Sequence, residues 1–210
     1  MKDILMKEIL MKDIVMKDIV MLDLGNVLYH INLQRTHDSL ALLAGREVEF
    51  SLTSQAPVFD LFECGMLSAD GFRAGLREAY ALTCSDDDIT DAWNALLVGL
   101  DPRSTAWVRA LKEHHRVILL SNINVIHHER IAAECAELFS LFDALYLSYD
   151  IGLRKPSPRI FRHVLDREQV TADRIRYFDD APQHVDSALR LGFDARRVLA
   201  IDDLPGMLGV

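Results

Sequence analysis

Cysteine is scarce in this sequence and never occurs as a closely spaced pair. The three cysteines, Cys64, Cys84 and Cys135, are odd in number and far apart. Disulfide frameworks and zinc sites use cysteines in even numbers or in closely spaced pairs, so we expect neither here. Thiols that stay reduced are typical of the cytoplasm, and the sequence therefore predicts a cytoplasmic protein.

Long apolar runs are also missing. No stretch reaches the roughly 18 uninterrupted apolar residues that a membrane helix needs. The chain opens with a five-residue unit written four times, MKDIL, MKEIL, MKDIV and MKDIV, so that a Lys-Asp or Lys-Glu pair interrupts every copy. A signal peptide needs a continuous apolar segment, and we therefore expect neither a membrane helix nor a signal peptide.

The repeat suits neither regular secondary structure. A period of five rotates each unit by about 140° from the last on a helix and changes sides on a strand, so no single apolar face persists. Solenoid repeats need about 20 residues or more per unit. We predict that residues 1–15 form a frayed or weakly helical tail, with a partner-binding helix as the alternative.

Positively charged residues are fewer than negatively charged ones. The sequence has 23 Lys and Arg residues and 32 Asp and Glu residues, which gives a formal net charge of -9. An acidic surface repels nucleic acid and anionic membranes, so we expect no such partner, and an anionic ligand would need a local group of cations. A half-hydrophobic chain of 210 residues is long enough for one packed domain with a smaller insertion. Nothing in it fixes an oligomeric state.

Four apolar runs end in small polar residues, a pattern typical of buried parallel strands. They are Lys17–Asp23, Arg116–Asn122, Ala144–Ser148 and Ile175–Asp180. Helical patterns lie between them at Thr105–His114, His127–Leu138, Pro158–Leu165 and Pro182–Leu191. Strands alternating with helices predict an α/β fold with a Rossmann-like parallel sheet, a three-layer α/β/α core. The polar strand ends would then meet in one crevice.

Residues 33–101 interrupt this alternation, since they contain helical stretches and no convincing strand. Ser68 and Ser85 are plausible helix N-caps, the latter with Asp88 in a loose capping box. The aromatic residues predicted to form the core of this bundle are Phe59, Phe62, Phe72 and Trp93. We predict a small helical cap at 33–101, inserted after the first strand, with residues 16–32 and 102–210 forming the α/β core.

The predicted crevice would contain the parts of a phosphoryl-transfer site. Asp23 can act as a nucleophile, and together with Asp179-Asp180 it can hold a hard cation such as Mg²⁺. Lys155 and Ser121 can hold phosphate oxygens, one by charge and the other by a hydrogen bond. Each residue alone has a structural explanation, such as a turn, a cap or a solvated charge. It is the occurrence of all these residues together, at successive strand ends or in the loops beyond them, that indicates a site.

The sequence resembles the haloacid dehalogenase-like hydrolase superfamily, and most of all the branch with the soluble epoxide hydrolase phosphatase domain and bacterial sugar-1-phosphate phosphatases. Four matching motifs, in order along the chain, are Val20–Leu28, Leu119–Asn122, Gly152–Pro156 and Tyr177–Asp180. They cover nearly the whole chain apart from the tail. The resemblance implies a Mg²⁺-dependent phosphatase acting on a small phosphorylated metabolite, for example a sugar phosphate.

The resemblance also implies a role for each site residue. Asp23 would attack the phosphorus and become an aspartyl phosphate, which water then hydrolyses. Mg²⁺ would be held by Asp23, the Gly25 carbonyl, Asp179 and Asp180. The phosphoryl oxygens would be bound by Ser121 and Lys155, supported by Asn122. The helical segment matches the family's cap, which closes over the crevice and selects the substrate.

One position departs from the family pattern. Most phosphatases of the superfamily carry a second aspartate two residues after the nucleophile as general acid and base, and here that position is Gly25. General acid help is worth about 100- to 10,000-fold, so its loss should slow the expulsion of poor leaving groups. His30 is a candidate substitute that could titrate near neutrality. His127 and His128 could approach the crevice, although we favour a helix surface for both.

Two other functions stay open at this level. A haloacid dehalogenase would share the Asp nucleophile and the lysine but would not need a metal, so Asp179-Asp180 favours the phosphatase. A catalytically weak phosphate-binding regulatory module would have kept the fold and lost the acid/base group, but the retained nucleophile, lysine and acidic pair argue against it.

Overall fold

The computed structural model describes residues 18–48 and 57–210 of the chain. The tail predicted at 1–15 lies outside the described residues. Within the described ranges, no helix is both long enough and apolar enough to cross a membrane.

A five-stranded parallel sheet lies at the centre of the described chain. In chain order the strands are β1 (Ile19–Leu22), β2 (Tyr29–Ile31), β3 (Leu97–Leu100), β4 (Arg116–Ser121), β5 (Ala144–Leu147), β6 (Ile175–Asp179) and β7 (Asp194–Arg197). The sheet has the order β5-β4-β1-β6-β7, while β2 and β3 form a separate antiparallel ribbon. The first strand is therefore central, with a parallel neighbour on each side.

Helices occupy both faces of this sheet and the segment after its first strand. The cap segment contains α1 (Leu33–Ala44), α2 (Pro57–Glu63), α3 (Ala69–Tyr80) and α4 (Asp86–Asn94). The core contains α5 (Ser104–Lys112), α6 (Val125–Ile131), α7 (Ala136–Leu141), α8 (Ser148–Ile151), α9 (Pro158–Glu168), α10 (Pro182–Arg190) and α11 (Leu204–Leu208).

Alternate residues of β1 enter two different apolar clusters. Val20 and Leu22 pack with residues of α5, α6 and α7 on one face. Ile19 and Met21 pack with residues of α9 and α10 on the other. Successive strand side chains point to opposite faces, and a strand covered on both sides is apolar throughout. The predicted three-layer α/β/α fold is confirmed.

The cap helices share an apolar cluster that also includes Ile126 of α6. Its aromatic members, all buried, are Phe59, Phe62, Phe72 and Trp93. Phe62 stacks on Phe72 with 4.1 Å between the ring centroids. Ser68 caps α3, and Ser85 forms the predicted capping box with Asp88 at the start of α4. The division into a cap at 33–101 and a core at 16–32 and 102–210 stays a prediction.

Three local features differ from the sequence-based prediction. The cap segment was predicted to lack strands, but β3 lies at its end and pairs with β2 in a ribbon too short to leave a clear pattern. The edge strand β7 was missed because its sequence, DARR, has no apolar run. The single helix predicted at His127–Leu138 is two helices, α6 and α7. In the turn between them Glu134 accepts hydrogen bonds from Tyr29 Oη and the Leu100 amide, tertiary contacts that override the helical pattern.

The cap touches the core closely at Gly65, just beyond α2. Gly65 has φ +64°, and a Cβ there would lie 2.1 Å from the backbone oxygen of Tyr149. Only glycine fits this approach, because neither backbone can move away cheaply. We expect Gly65→Ala to lower the free energy of unfolding by about 3 kcal/mol, measured by chemical denaturation, from left-handed strain plus overpacking.

Gly45 offers a matched control for this prediction. It has the same φ of +64°, but no atom of the described residues lies within 4 Å of the position that a Cβ would occupy there. Gly45→Ala should therefore cost only the backbone strain, about 1 kcal/mol. Equal losses in the two variants would contradict a close cap-to-core contact at Gly65.

Candidate active site

The carboxyl ends of β1, β4 and β6 meet at one edge of the sheet, as the sequence predicted. Asp23 follows β1 directly, and its amide donates to the Phe178 carbonyl of β6 at 2.9 Å. A cavity of about 650 Å³ opens here, within the range of small-molecule sites. Its lining includes Asp23, Gly25, Asn122, Lys155 and Asp180, together with cap residues. Ser121 and Asp179 are buried and do not line it.

Lys155 is completely buried and holds two strand ends together. Its Nζ lies 2.8 Å from Asp23 Oδ1 and 2.6 Å from Asp179 Oδ2, and it donates to the Leu120 carbonyl at 3.0 Å. These three partners match the three N–H donors of an ammonium group. Burial opposes the charge of Lys155, but the two carboxylates outweigh it, so the pKa of Lys155 is raised.

Asn122 fixes the backbone of the lysine. Its Nδ2 donates to the Lys155 carbonyl at 2.9 Å, and its Oδ1 accepts from the Lys155 amide at 2.8 Å. Both polar atoms of the amide are therefore used to attach the Lys155 loop to the end of β4. Direct contact of Ser121 and Lys155 with phosphoryl oxygens stays a prediction.

Asp179 is the most heavily hydrogen-bonded carboxylate of the site. Its Oδ1 accepts from the Ala181 amide at 2.8 Å and lies 3.0 Å from His184 Nδ1, while Tyr177 Oη donates to Oδ2 beside Lys155. Burial works to raise the pKa of Asp179, but Lys155 and His184 lower it overall. The carboxylate is therefore held ionised in a fixed orientation.

Asp180 and Asp23 complete an acidic cluster with Asp179. Asn26, at a left-handed φ of 54°, donates to Asp180 Oδ2 at 3.0 Å. Burial, with Asp179 adding to it, raises the pKa of Asp180. Burial also raises the pKa of Asp23 to about 7, with Lys155 opposing and the two neighbouring carboxylates adding to the rise.

The cluster fits a divalent cation. One carboxylate oxygen from each of Asp23, Asp179 and Asp180 lies within 4.8 Å of the others. Three acids face one lysine, so the site carries excess negative charge, and oxygen ligands are those that Mg²⁺ prefers. These side chains and the neighbouring Gly25 carbonyl are the predicted metal ligands, and their assignment stays a prediction.

No acid stands at Gly25, and the structure does not bring His30 into its place. A Cβ at position 25 would lie 3.1 Å from Ile31 Cδ1, so an apolar side chain borders that space. The His30 side chain is half exposed, with Nε2 3.1 Å from Asp101 Oδ2. It lines a smaller depression rather than the main cavity.

His127 contradicts our preference for a helix-surface position. It is buried in the cavity wall, stacks on Trp93 with 4.7 Å between ring centroids, and places Nε2 3.1 Å from the Trp93 carbonyl. Burial lowers its pKa to about 4, so it joins cap and core as a neutral ring. His128 is half-buried and lies 2.8 Å from Tyr149 Oη through Nδ1.

Several site residues were not identified from the sequence. Asn26 and Arg154 belong to the quoted motifs, so position within a motif was an available signal. His184 lies in the first turn of α10, the helix that follows the acidic pair. Its short distance in sequence from that pair was a second signal. Glu63 had none, because only the packing of the cap brings it to the cavity.

Residues 17–192 match the family model described as haloacid dehalogenase-like hydrolase. The chain belongs to this family. The match covers the first strand, the cap segment and all four motifs of the hydrolase, and agrees with the resemblance seen in the sequence.

Two proteins of Bacteroides thetaiotaomicron are similar to this hydrolase. The D-ribitol-5-phosphate phosphatase of Bacteroides thetaiotaomicron is 27% identical over 179 residues, covering 82% of this chain and 87% of that protein. A HAD family enzyme from the same organism, solved in wild-type form with magnesium and inorganic phosphate, has a TM-score of 0.79 and 26% identity, covering 90% of this chain and 98% of that one.

A dehalogenase is also similar in structure. The L-2-haloacid dehalogenase from Xanthobacter autotrophicus, with chloropropionic acid covalently bound, has a TM-score of 0.59 and 18% identity. It covers 87% of this chain and 78% of the dehalogenase. At this identity the likeness concerns the fold alone.

Proposed function

We propose that this hydrolase is a Mg²⁺-dependent phosphatase that releases phosphate from a small phosphorylated metabolite, a sugar or sugar-alcohol phosphate. The observation that carries the proposal is the cluster of Asp23, Asp179 and Asp180 around the buried Lys155, at the bottom of a cavity large enough for such a substrate. The similar D-ribitol-5-phosphate phosphatase supports the reaction and the substrate class. The similar HAD family enzyme, solved with magnesium and inorganic phosphate, supports the reaction and the metal.

Asp23 is the nucleophile in this mechanism. Lys155 holds Oδ1, and Oδ2 has no hydrogen-bond partner among the described residues, so one carboxylate oxygen is positioned while the other remains available. Attack on phosphorus forms the bond from Asp23 to the phosphoryl group and breaks the bond to the leaving oxygen. The leaving alkoxide then takes up a proton from solvent water, because Gly25 has none to give.

Water completes the reaction. It attacks the phosphorus of the aspartyl phosphate and breaks the bond to the Asp23 oxygen, which releases inorganic phosphate and a proton to solvent and regenerates the Asp23 carboxylate. Asn122 and Lys155 keep the phosphoryl end of the site fixed, while His184 and Tyr177 hold Asp179 in place beneath it. A site whose groups are fixed before binding loses little free energy in reorganisation.

Magnesium would be held by Asp23, Asp180, the Gly25 carbonyl and Asp179, the last directly or through water. When bound it would neutralise the carboxylates and the phosphoryl oxygens. Asn26 orients Asp180 for this role through its 3.0 Å hydrogen bond.

Metal removal is the experiment that tests this function. Phosphate release from sugar phosphates, sugar-alcohol phosphates, nucleotides and phospho-acids should stop in EDTA and return with excess Mg²⁺. Asp180→Asn should raise the Mg²⁺ concentration for half-maximal activity at least about tenfold, since it removes a charged ligand. Asp186→Asn, at an exposed position in α10, the helix that follows Asp180, should leave the Mg²⁺ requirement unchanged.

The two alternatives give different results in the same assay. Halide release from haloacids that persists in EDTA would favour the dehalogenase. Binding of Mg²⁺ and phosphate analogues without turnover of any substrate would favour the regulatory module. A cytoplasmic location, and the absence of nucleic-acid and membrane partners, stay predictions. The three unpaired cysteines support the first, and the net charge of -9 supports the others.

A further inference from the structure

A second polar group in the cavity wall joins the cap to the core. Arg154, which directly precedes Lys155, lies with Nη2 2.9 Å from Oε2 of Glu63, the last residue of α2. Its Nη1 contacts Asp60 one turn earlier in the same helix. All three residues line the cavity that contains Asp23. None of them has a part in the phosphoryl chemistry described above.

Glu63 and Arg154 have unused hydrogen-bonding capacity. A carboxylate can accept about four hydrogen bonds, but the contact with Arg154 is the one polar contact of Glu63 within the described residues. The 2.9 Å ion pair between Glu63 Oε2 and Arg154 Nη2 lacks the geometry of a hydrogen bond, so neither Glu63 Oε2 nor Arg154 Nε forms a hydrogen bond with the described part of the chain. The side chains are 18% and 26% exposed, so each presents only part of its surface.

The burial of this pair is unfavourable without a further partner. Desolvation raises the pKa of Glu63 to about 7 despite the opposing charge of Lys155, and desolvation lowers the pKa of Arg154. A buried polar group without a hydrogen bond costs about 1 to 3 kcal/mol, and a ligand that supplies the bond recovers it. The pair therefore favours a polar ligand in the cavity.

We propose that Glu63 and Arg154 form a specificity site for hydroxyl groups on the leaving-group side of a phosphorylated polyol. The proposal rests on the phosphatase function given above. A hydroxyl group donates to a carboxylate and accepts from a guanidinium, so one functional group satisfies both side chains. A substrate carboxylate cannot donate and is repelled by Asp60 and Glu63, and an alkyl chain leaves both groups without partners.

The position of the pair suits this role. Arg154 and Lys155 are consecutive, so the hydroxyl site lies next to the phosphoryl site at a separation fixed by the backbone. Asn122 holds Lys155 on the core side, and the close approach of Gly65 to Tyr149 holds the end of α2 on the cap side. Both halves of the hydroxyl site are therefore fixed relative to Asp23.

Three substrates of the Glu63→Gln variant test this proposal. D-Ribitol 5-phosphate carries hydroxyl groups, n-pentyl phosphate has the same chain length without them, and 4-nitrophenyl phosphate has an activated leaving group. We expect kcat/KM for D-ribitol 5-phosphate to fall about 10- to 100-fold, as expected for a hydrogen bond to a charged group. For the other two substrates it should change less than about twofold. The exposed cap glutamate Glu78 supplies the control, Glu78→Gln, which should change none of the three.

Any other pattern of activity losses over the three substrates overturns the proposal, and each pattern indicates a different role for Glu63. Equal losses on D-ribitol 5-phosphate and n-pentyl phosphate, with 4-nitrophenyl phosphate unaffected, would make Glu63 a proton donor. Equal losses on all three would indicate a structural role, and no loss would indicate no role. A wild-type enzyme without preference for D-ribitol 5-phosphate over n-pentyl phosphate would also overturn it. Absence of phosphate release from all three substrates would instead contradict the phosphatase function.

Discussion

Replacing Asp23 by asparagine is expected to lower kcat for phosphate release by at least about 10,000-fold. The change keeps the size of the side chain but removes the anionic oxygen that forms the bond to phosphorus, a loss of about 5 kcal/mol or more of transition-state stabilisation. Phosphate release with saturating substrate and Mg²⁺ measures the effect. Mass spectrometry of acid-quenched enzyme should find phosphate on Asp23 in the wild type and none in the variant.

Asp18 provides the matched control. It is the residue directly before β1, and Asp23 is the residue directly after it. It is largely exposed and pairs with Arg174 at 3.0 Å, so Asp18→Asn should retain activity. A folded Asp23→Asn variant that keeps more than about a hundredth of the wild-type kcat would contradict the covalent mechanism. It would leave Asp23 as a binding group and require water to attack the substrate directly.

The core of the fold could be predicted because its strands are largely buried. Buried parallel strands are mainly apolar: β1 is apolar throughout, and β4, β5 and β6 are apolar at most positions, although β4 and β6 each include an arginine. The edge strand β7 has charged side chains and solvent on one side, so its sequence has no such signal. The ribbon of β2 and β3 depends on pairing between segments far apart in the chain. The local sequence pattern of either segment gives no signal of such long-range pairing.

The candidate site divides in a similar way. Asp23, Asp179 and Asp180 could be located because they lie at or directly after the ends of parallel strands. Lys155 could be located because it belongs to a motif beyond another strand. Packing decided the remaining positions. Ser121 lies at the predicted strand end but does not line the cavity, and His127 turned inward against Trp93. Side-chain direction and cap position depend on tertiary contacts that a strand or helix pattern does not contain.

Lys155 links catalysis to stability, and its replacement should affect both. Lys155→Met keeps the approximate volume but leaves Asp23 and Asp179 without their shared cation in a buried site. Breaking a buried ion pair by removing one partner costs about 3 to 5 kcal/mol. For a chain of this size the thermal midpoint should fall by about 10 °C, measured by calorimetry without Mg²⁺. Phosphate release should be lost as well.

A second substitution shows whether the uncompensated charge is the cause. Adding Asp179→Asn to Lys155→Met removes one of the stranded carboxylates, so the double variant should be more stable than Lys155→Met alone while remaining inactive. Lys112→Met is the control, because Lys112 pairs with Asp143 at the surface and its loss should cost about 1 kcal/mol or less. If Lys155→Met unfolded no more easily than Lys112→Met, the two carboxylates would not depend on the lysine for their charge. The lysine would then serve the substrate alone rather than holding the ends of β1 and β6 together.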